Sequence, residues 1–308
     1  MDLAVKSCKI SDLPVEIPIT DIYLLPDFLT LLVKYFHYNV NYLLVTNRVN
    51  GDILAVTATF EKKLLGIPSI INPQIIYYQP LEYFSVKRKH KNETQLQDLE
   101  IQKQISAYYH KYYFKIEKNL SPNTIDVRGF NWSGLKASPL YTYVFDLKSY
   151  SSDIFFRKQR ASLRKAQKLE YQFTGKTDID SFLSLVEGTK KRQDWNFNIP
   201  DKTLKDYISQ LLKLGFVKQF SITNQKGKIV STMFCLMDKV NKVAYAWLAS
   251  TDVQELSKGV STLLFHSISE YLQTDYDVFD LCGANTDTIA RFKASLGAEL
   301  KVFYRIKL

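Results

Sequence analysis

Tyr276-Asp-Val-Phe-Asp-Leu-Cys-Gly-Ala-Asn285, followed shortly by Arg291-Phe-Lys-Ala-Ser-Leu-Gly297, is where the architecture first becomes readable. Residues 276 to 282 form an apolar run too short for a helix, rich in β-formers and bounded by Gly283, which predicts a strand. Alternation puts Val278, Asp280 and Cys282 on one face, with Phe279 and Leu281 on the other. A carboxylate inside a central strand is costly unless it is hydrogen-bonded or paired, so Asp280 either ties adjacent loops together or serves a site. Gly283 can adopt a positive φ and lets the chain leave the sheet sharply.

After this turn, Thr286 or Asp287 is placed to cap a helix over about 288–296, with Ile289, Phe292 and Leu296 on one stripe and Gly297 as its stop. Lys293 adjoins the stripe, so its stem can pack while its ammonium reaches either solvent or a cleft. A closing strand over 299–307 alternates Leu300, Val302, Tyr304 and Ile306 against Lys301, Phe303, Arg305 and Lys307, which predicts one buried and one mostly polar face.

Upstream, a helix is predicted over 202–214, with Leu204, Tyr207, Ile208, Leu211 and Leu212 on one face, Asp201 as cap and Gly215 as stop. Strands follow over 216–223, 228–237 and 242–250. A polar loop over 250–258 leads to a helix opening at Gly259 or Val260 and ending at Leu272. Helix, three antiparallel strands, loop, helix, strand, helix, strand is the element order of the GNAT acyltransferase fold.

Residues from about 142 to 308 resemble the FemABX branch of the GNAT superfamily, peptidoglycan aminoacyltransferases and related acetyltransferase-like proteins of polysaccharide clusters. The matching pieces are Thr142-Tyr-Val-Phe-Asp-Leu147, the basic segment holding Arg160, Leu163, Arg164, Lys165 and Ala166, the Phe279-Asp280-Leu281 strand with its Gly-Ala-Asn exit, and the Arg291 to Gly297 block. The resemblance implies an α+β, mixed α/β chain of tandem GNAT-like domains, each a mostly antiparallel sheet flanked by helices. A degenerate N-terminal copy would occupy 1–147 and an acyltransferase domain 148–308.

The resemblance also implies roles. Lys293 would assist acyl transfer with Phe292 beside it, a cation near the attacked carbonyl stabilising the oxyanion. Asp280, Tyr304 or a water would act as the base. Acyl-CoA enzymes of this fold hold pyrophosphate at the start of the central helix on an Arg/Gln-x-x-Gly-x-Gly/Ala turn, where free N–H groups suit an anion. The aligned residues here are Leu256-Ser-Lys-Gly-Val-Ser261, so Gly259 matches and Lys258 and Ser261 could contact phosphate. Trp247 would lie on the strand that splays to admit the donor.

The first half follows a similar order: an amphipathic segment over 24–38, strands over 42–46 and 53–60, an extended stretch over 70–78, a long helix over 93–114 and a strand over 125–130. The long helix carries Tyr108, Tyr109, Tyr112 and Tyr113, read as packing residues. A chain of 308 residues can bury two cores. Three scattered cysteines exclude a disulfide framework and fit a reducing, cytoplasmic setting, no signal-peptide pattern or membrane-spanning run is seen, and the four histidines show no metal-ligand spacing.

The net charge of +10 is uneven. Between Asp153 and Lys168 there are one acid and six bases, and at helical spacing Arg157, Arg160, Arg164 and Lys168 form one stripe, with Phe156 and Leu163 on a different side. Like charges at this spacing repel, and a bound polyanion would relieve them. Relatives place a phosphate-binding arginine here, which implies Arg160 or Arg164 as contacts for a nucleotide-linked acceptor. Trp195, in a polar stretch after Lys190, Lys191 and Arg192, is a further substrate-binding candidate. Lys87 to Lys91 is read as a second basic cluster, facing solvent.

Three functions fit these features: an acetyl-CoA or other acyl-CoA N-acyltransferase acting on an amino sugar, sugar nucleotide or amino-acid-like amine; an aminoacyl-tRNA-dependent transferase acting on a peptidoglycan precursor; and a non-catalytic binding module.

Overall fold

The computed structural model describes residues 2–64, 66–84, 91–193 and 199–308. The chain is mixed α/β and divides into two compact units, the first made of Met1–Leu140 with Val302–Leu308 and the second of Tyr141–Lys301. Among the described residues no helix is long and apolar enough to cross a membrane.

The first unit contains β1 (Leu3–Lys9), α1 (Pro26–Phe36), β2 (Asn39–Asn47), β3 (Ile53–Leu64), β4 (Ile67–Ile70), β5 (Leu81–Tyr83), α2 (Lys91–Tyr112), β6 (Lys115–Asn119) and α3 (Arg128–Trp132). Its sheet runs β1-β2-β3-β4-β6 and is completed by the end of β13 (Glu299–Lys307), with β5 on β3. Among the described residues only the β4–β6 pairing of this sheet is parallel. Pro26 starts α1, where its missing N–H costs nothing, and His37 ends it in the left-handed region. The core gathers Leu43, Val45, Ala55, Ile101, Ile105, Tyr109 and Phe130.

Sequence expectations fail at several points in this unit and along β13; beyond Ile70 the stretch expected to be extended over 70–78 contains turns. Residues 125–130 form no strand; Ile125 is exposed and Arg128–Trp132 is helical. The strand is β6, hidden in the sequence by two lysines, a glutamate and an asparagine around a single isoleucine. In β13, Leu300 and Val302 are exposed while Phe303 is buried edge-on to Tyr78, with ring centroids 5.1 Å apart. The simple alternation breaks near Val302, the first residue of this strand that belongs to the first unit.

The second unit contains β7 (Lys136–Asp146, from Tyr141 onward), α4 (Arg157–Gln167), β8 (Gln172–Thr174), α5 (Ile179–Gln193), α6 (Asp201–Lys213), β9 (Val217–Thr223), β10 (Ile229–Asp238), β11 (Val243–Thr251), α7 (Val260–Leu272), β12 (Val278–Asp280) and α8 (Asp287–Ser295). The sheet order is β7-β12-β11-β10-β9-β8, antiparallel except for β11–β12. Met233, Cys235, Ala244, Ala246 and Phe279 join Leu264 and Ile268 of α7 in one core. Aromatic pairs hold α5 and α6 to the sheet: Phe182 to Phe234 at 5.0 Å, and Tyr207 to Trp247 at 6.0 Å.

Candidate functional site

The strand pair β11–β12 is in register only at Val243↔Val278, Ala244↔Phe279 and Tyr245↔Asp280. Beyond Asp280 the chain stays with β7: Leu281 N–H donates to Tyr143 at 2.8 Å, Ala284 N–H to Tyr141 at 3.0 Å, and the Asn285 side chain brackets the Tyr141 backbone. β11 continues to Thr251 on its β10 side. The two parallel strands therefore part after Tyr245. Next to the parting, pairing with β10 slips between Cys235↔Ala246 and Phe234↔Leu248, leaving Trp247 as an extra residue. Such a bulge re-aims the backbone locally.

A polar network holds the exit of β12. Asp280, 3 % exposed, accepts through one carboxylate oxygen from Thr142 Oγ1 at 2.6 Å and from the Cys282 N–H at 2.8 Å. Cys282 has φ +50° and Gly283 +46°, two successive left-handed residues. That conformation costs a non-glycine residue on the order of 1 kcal/mol, which the bond from Asp280 offsets. The turn aims three consecutive carbonyls, of Leu281, Cys282 and Gly283, at one point, where the ammonium of Lys293 donates to all three, at 2.6 Å to Leu281 and 2.7 Å to Gly283.

Lys293 is therefore buried with its three N–H donors occupied. Burial, opposed in part by the Asp280 carboxylate, lowers its pKa to about 8. Its neighbour on α8, Phe292, meets Phe265 edge-on at 5.6 Å. Burial pushes the Cys282 thiol well above its ordinary pKa, the state of a core residue rather than a nucleophile. Thr142 was not singled out as a site residue from sequence, although a buried carboxylate on a strand implies such a donor nearby.

The start of α7 is a helix junction. Gly259 has φ +83°, and a Cβ there would lie 2.3 Å from the Ser162 carbonyl of α4. On the same face of α4, Gln159 accepts from Thr262 Oγ1 at 2.8 Å and Lys165 donates to the Ser257 carbonyl at 3.0 Å. Val260 is fully buried. Ser261 Oγ lies 3.1 Å from Thr251 Oγ1, and Lys258 pairs with Glu255 at 2.9 Å. Trp247 is 2 % exposed, its ring against Tyr207.

The remaining candidates are dispersed. Arg160 and Arg164 are exposed on α4, Arg160 donating to the Asp153 carbonyl at 2.8 Å. Tyr304 belongs to the first unit and packs against its core. Trp195 and residues 87–90 of the second basic cluster lie outside the described residues, and Lys91, expected in a loop, is the first residue of α2. Two cavities, about 240 and 450 Å³, lie beside α5 and meet at Ile229; neither is lined by Lys293 or Asp280. Among the described residues no group of three or more His, Cys, Asp or Glu could hold a metal ion.

This arrangement is a GNAT-like fold of the FemABX type, with tandem GNAT proteins among its structural neighbours. The structure is similar to that of FemX, with a TM-score of 0.64 at 12 % identity over 93 % of this chain and 92 % of FemX. It is also similar to the C-terminal domain of a putative lysylphosphatidylglycerol synthetase from Agrobacterium fabrum, with a TM-score of 0.57 at 15 % identity over 90 % and 86 % of the two chains. A tandem GNAT protein from the clavulanic acid biosynthesis pathway gives 0.54 at 10 % identity over 99 % and 98 %. No family model matches the sequence, and the search of curated proteins finds no match.

Proposed function

We propose that this chain is an N-acyltransferase that moves an acyl or aminoacyl group from an activated ester to a primary amine. The observation that carries the reading is the parting of β11 and β12 after Tyr245, beside a backbone bulge at Trp247. An extended donor can lie along the edge of β11, its reacting carbonyl polarised by backbone N–H groups within Ala246–Ser250. A neutral amine attacks the carbonyl carbon, the tetrahedral intermediate collapses, the bond to the carrier breaks, and the proton released by the amine passes through water to the departing oxygen or sulfur.

Asp280 and Lys293 support this site by position. Asp280 spends one oxygen on Thr142 and Cys282, and Lys293 spends its donors on the exit turn. Together they hold the 281–285 segment on β7 and away from β11. Water is then a better acceptor for the amine proton than either side chain.

For the donor, the α4 junction argues against CoA pyrophosphate on the first turn of α7, because Ser162, Gln159 and buried Val260 already cover it. That favours an aminoacyl ester on tRNA, whose carrier is recognised elsewhere. Acyl-CoA is the second reading; it draws on the Ser261 hydroxyl and on the likeness to the tandem GNAT protein of the clavulanic acid pathway, whose structure was solved without AcCoA. The acceptor would be a small or nucleotide-linked amine, a peptidoglycan precursor among them, with Arg164 and Arg160 as phosphate contacts. The test is amide formation on a panel of amino sugars, amino acids and nucleotide-linked amines, with labelled aminoacyl-tRNA and labelled acetyl-CoA in parallel reactions. Product from aminoacyl-tRNA alone is the expected result. Product from acetyl-CoA alone would select the second reading, and none from either would favour a binding module.

A further inference from the structure

We infer that α4 and the turn leading into it form a docking surface for an anionic lipid bilayer. Arg157, Lys158, Arg160, Arg164, Lys165 and Lys168 are all exposed, and the turn adds one exposed acid, Asp153, so the surface carries six bases against one acid. Arg160 and Lys165 donate to backbone carbonyls, those of Asp153 and Ser257, and none of the six forms an ion pair with a described residue. From Arg157 to Lys168 the row extends about 16 Å along the helix. Such a row repels itself in the isolated protein and is relieved by a surface of opposite charge.

Charge alone would suit nucleic acid equally; the apolar groups decide between the two. Sequence spacing put Phe156 apart from the cationic stripe, but the structure leaves it 60 % exposed at the head of that row, with Ile154 at 42 % beside it. Phe155, between them, is buried in the core. The backbone that presents the two outward side chains is fixed: Phe156 N–H donates to the Ser295 carbonyl at 2.9 Å, and a Cβ on Gly297 would lie 2.2 Å from the Ile154 carbonyl. A rigid pair of outward apolar side chains next to these cations, of which Arg157, Lys158 and Lys168 have no part in the proposed acceptor site, matches the acyl boundary of a bilayer beneath anionic headgroups. Ile154 has no π-face for a base to stack on, which counts against RNA.

The test is flotation of the full chain with vesicles of phosphatidylglycerol and phosphatidylcholine, and with phosphatidylcholine alone. Binding is expected only to the anionic vesicles and should weaken in high salt. Arg157→Gln/Lys158→Gln/Lys168→Gln should weaken it by ~100-fold, and Phe156→Ser by about tenfold. All four side chains are exposed, so both variants should melt as the parent does. The proposal is overturned if the parent does not float with anionic vesicles, or if Phe156→Ser floats as well as the parent. It is equally overturned if the charge variant loses binding to bulk tRNA while vesicle binding is absent, which would make this a nucleic-acid surface.

Discussion

The Lys293 ammonium is hydrogen-bonded to the carbonyl of Cys282, a residue held in the left-handed region where β12 leaves the sheet. One helix thereby grips the turn that keeps the chain on β7 and away from β11. The bond links a side chain that looked catalytic in the sequence to a backbone feature invisible there.

Lys293→Met keeps the stem but removes the donors, leaving three inward-facing carbonyls unpaired. The variant should lose ~2–4 kcal/mol of stability in urea denaturation. Lys293→Arg should not restore it, because a flat guanidinium fork does not converge on three carbonyls around one point. Parent-like stability for Lys293→Met would remove the grip from the account.

Asp280→Asn preserves an oxygen that accepts from Thr142 and from Cys282 N–H, so it should cost only about 1 kcal/mol. Asp280→Ala should cost ~3 kcal/mol, having lost both bonds and the support for the φ of Cys282. Thermal melts of the pair should differ in that order; equal losses would mean that the charge, not the acceptor, is what the turn requires.

Gly259→Ala places a methyl against the Ser162 carbonyl at a positive φ, two independent penalties. A loss of ~3 kcal/mol is expected in a thermal melt. A neutral substitution would show that α4 is free to lift from α7, leaving the first turn of α7 open to CoA pyrophosphate.

Lys118 is fully buried in the first unit, donating to the Thr57 hydroxyl and, at 2.8 Å, to the Ala58 carbonyl; burial lowers its pKa to about 7. Between that value and the ordinary lysine value the unfolded chain binds more protons than the folded one, so this residue makes stability rise with pH across that window. Below about pH 7 the ammonium is present in both states and its desolvation cost is undiminished. Relative to Lys118→Met, which has no such proton and also loses the bonds to Thr57 and Ala58, the parent should therefore gain stability between about pH 7 and pH 10, by a few kcal/mol. A stability difference independent of pH would place the proton elsewhere.

Much of the second unit was legible in the sequence because its signals are local. Gly215, Gly259, Gly283 and Gly297 mark the ends of elements, and the stripe of Ile289, Phe292 and Leu296 fixes α8 to within a residue at each end. The burial of Lys293 was not legible, since a lysine beside an apolar stripe reads the same whether its ammonium faces water or three carbonyls. Nor was the role of Gly259: a glycine before a helix fits a phosphate cradle as well as a helix crossing, and only the position of Ser162 separates them. β6 was missed because its buried lysine, Lys118, breaks the pattern by which strands are recognised.

The most direct test is hydrogen exchange across Ala246–Ser250 with two unreactive donor mimics added separately: CoA, and a 3′-aminoacylamino-adenosine that copies the charged end of tRNA. The account predicts slowed exchange in that segment with the adenosine mimic, and the same response in Lys293→Met only at higher mimic concentration. Protection confined to other segments, or no change in this segment with either mimic at saturating concentration, would contradict it.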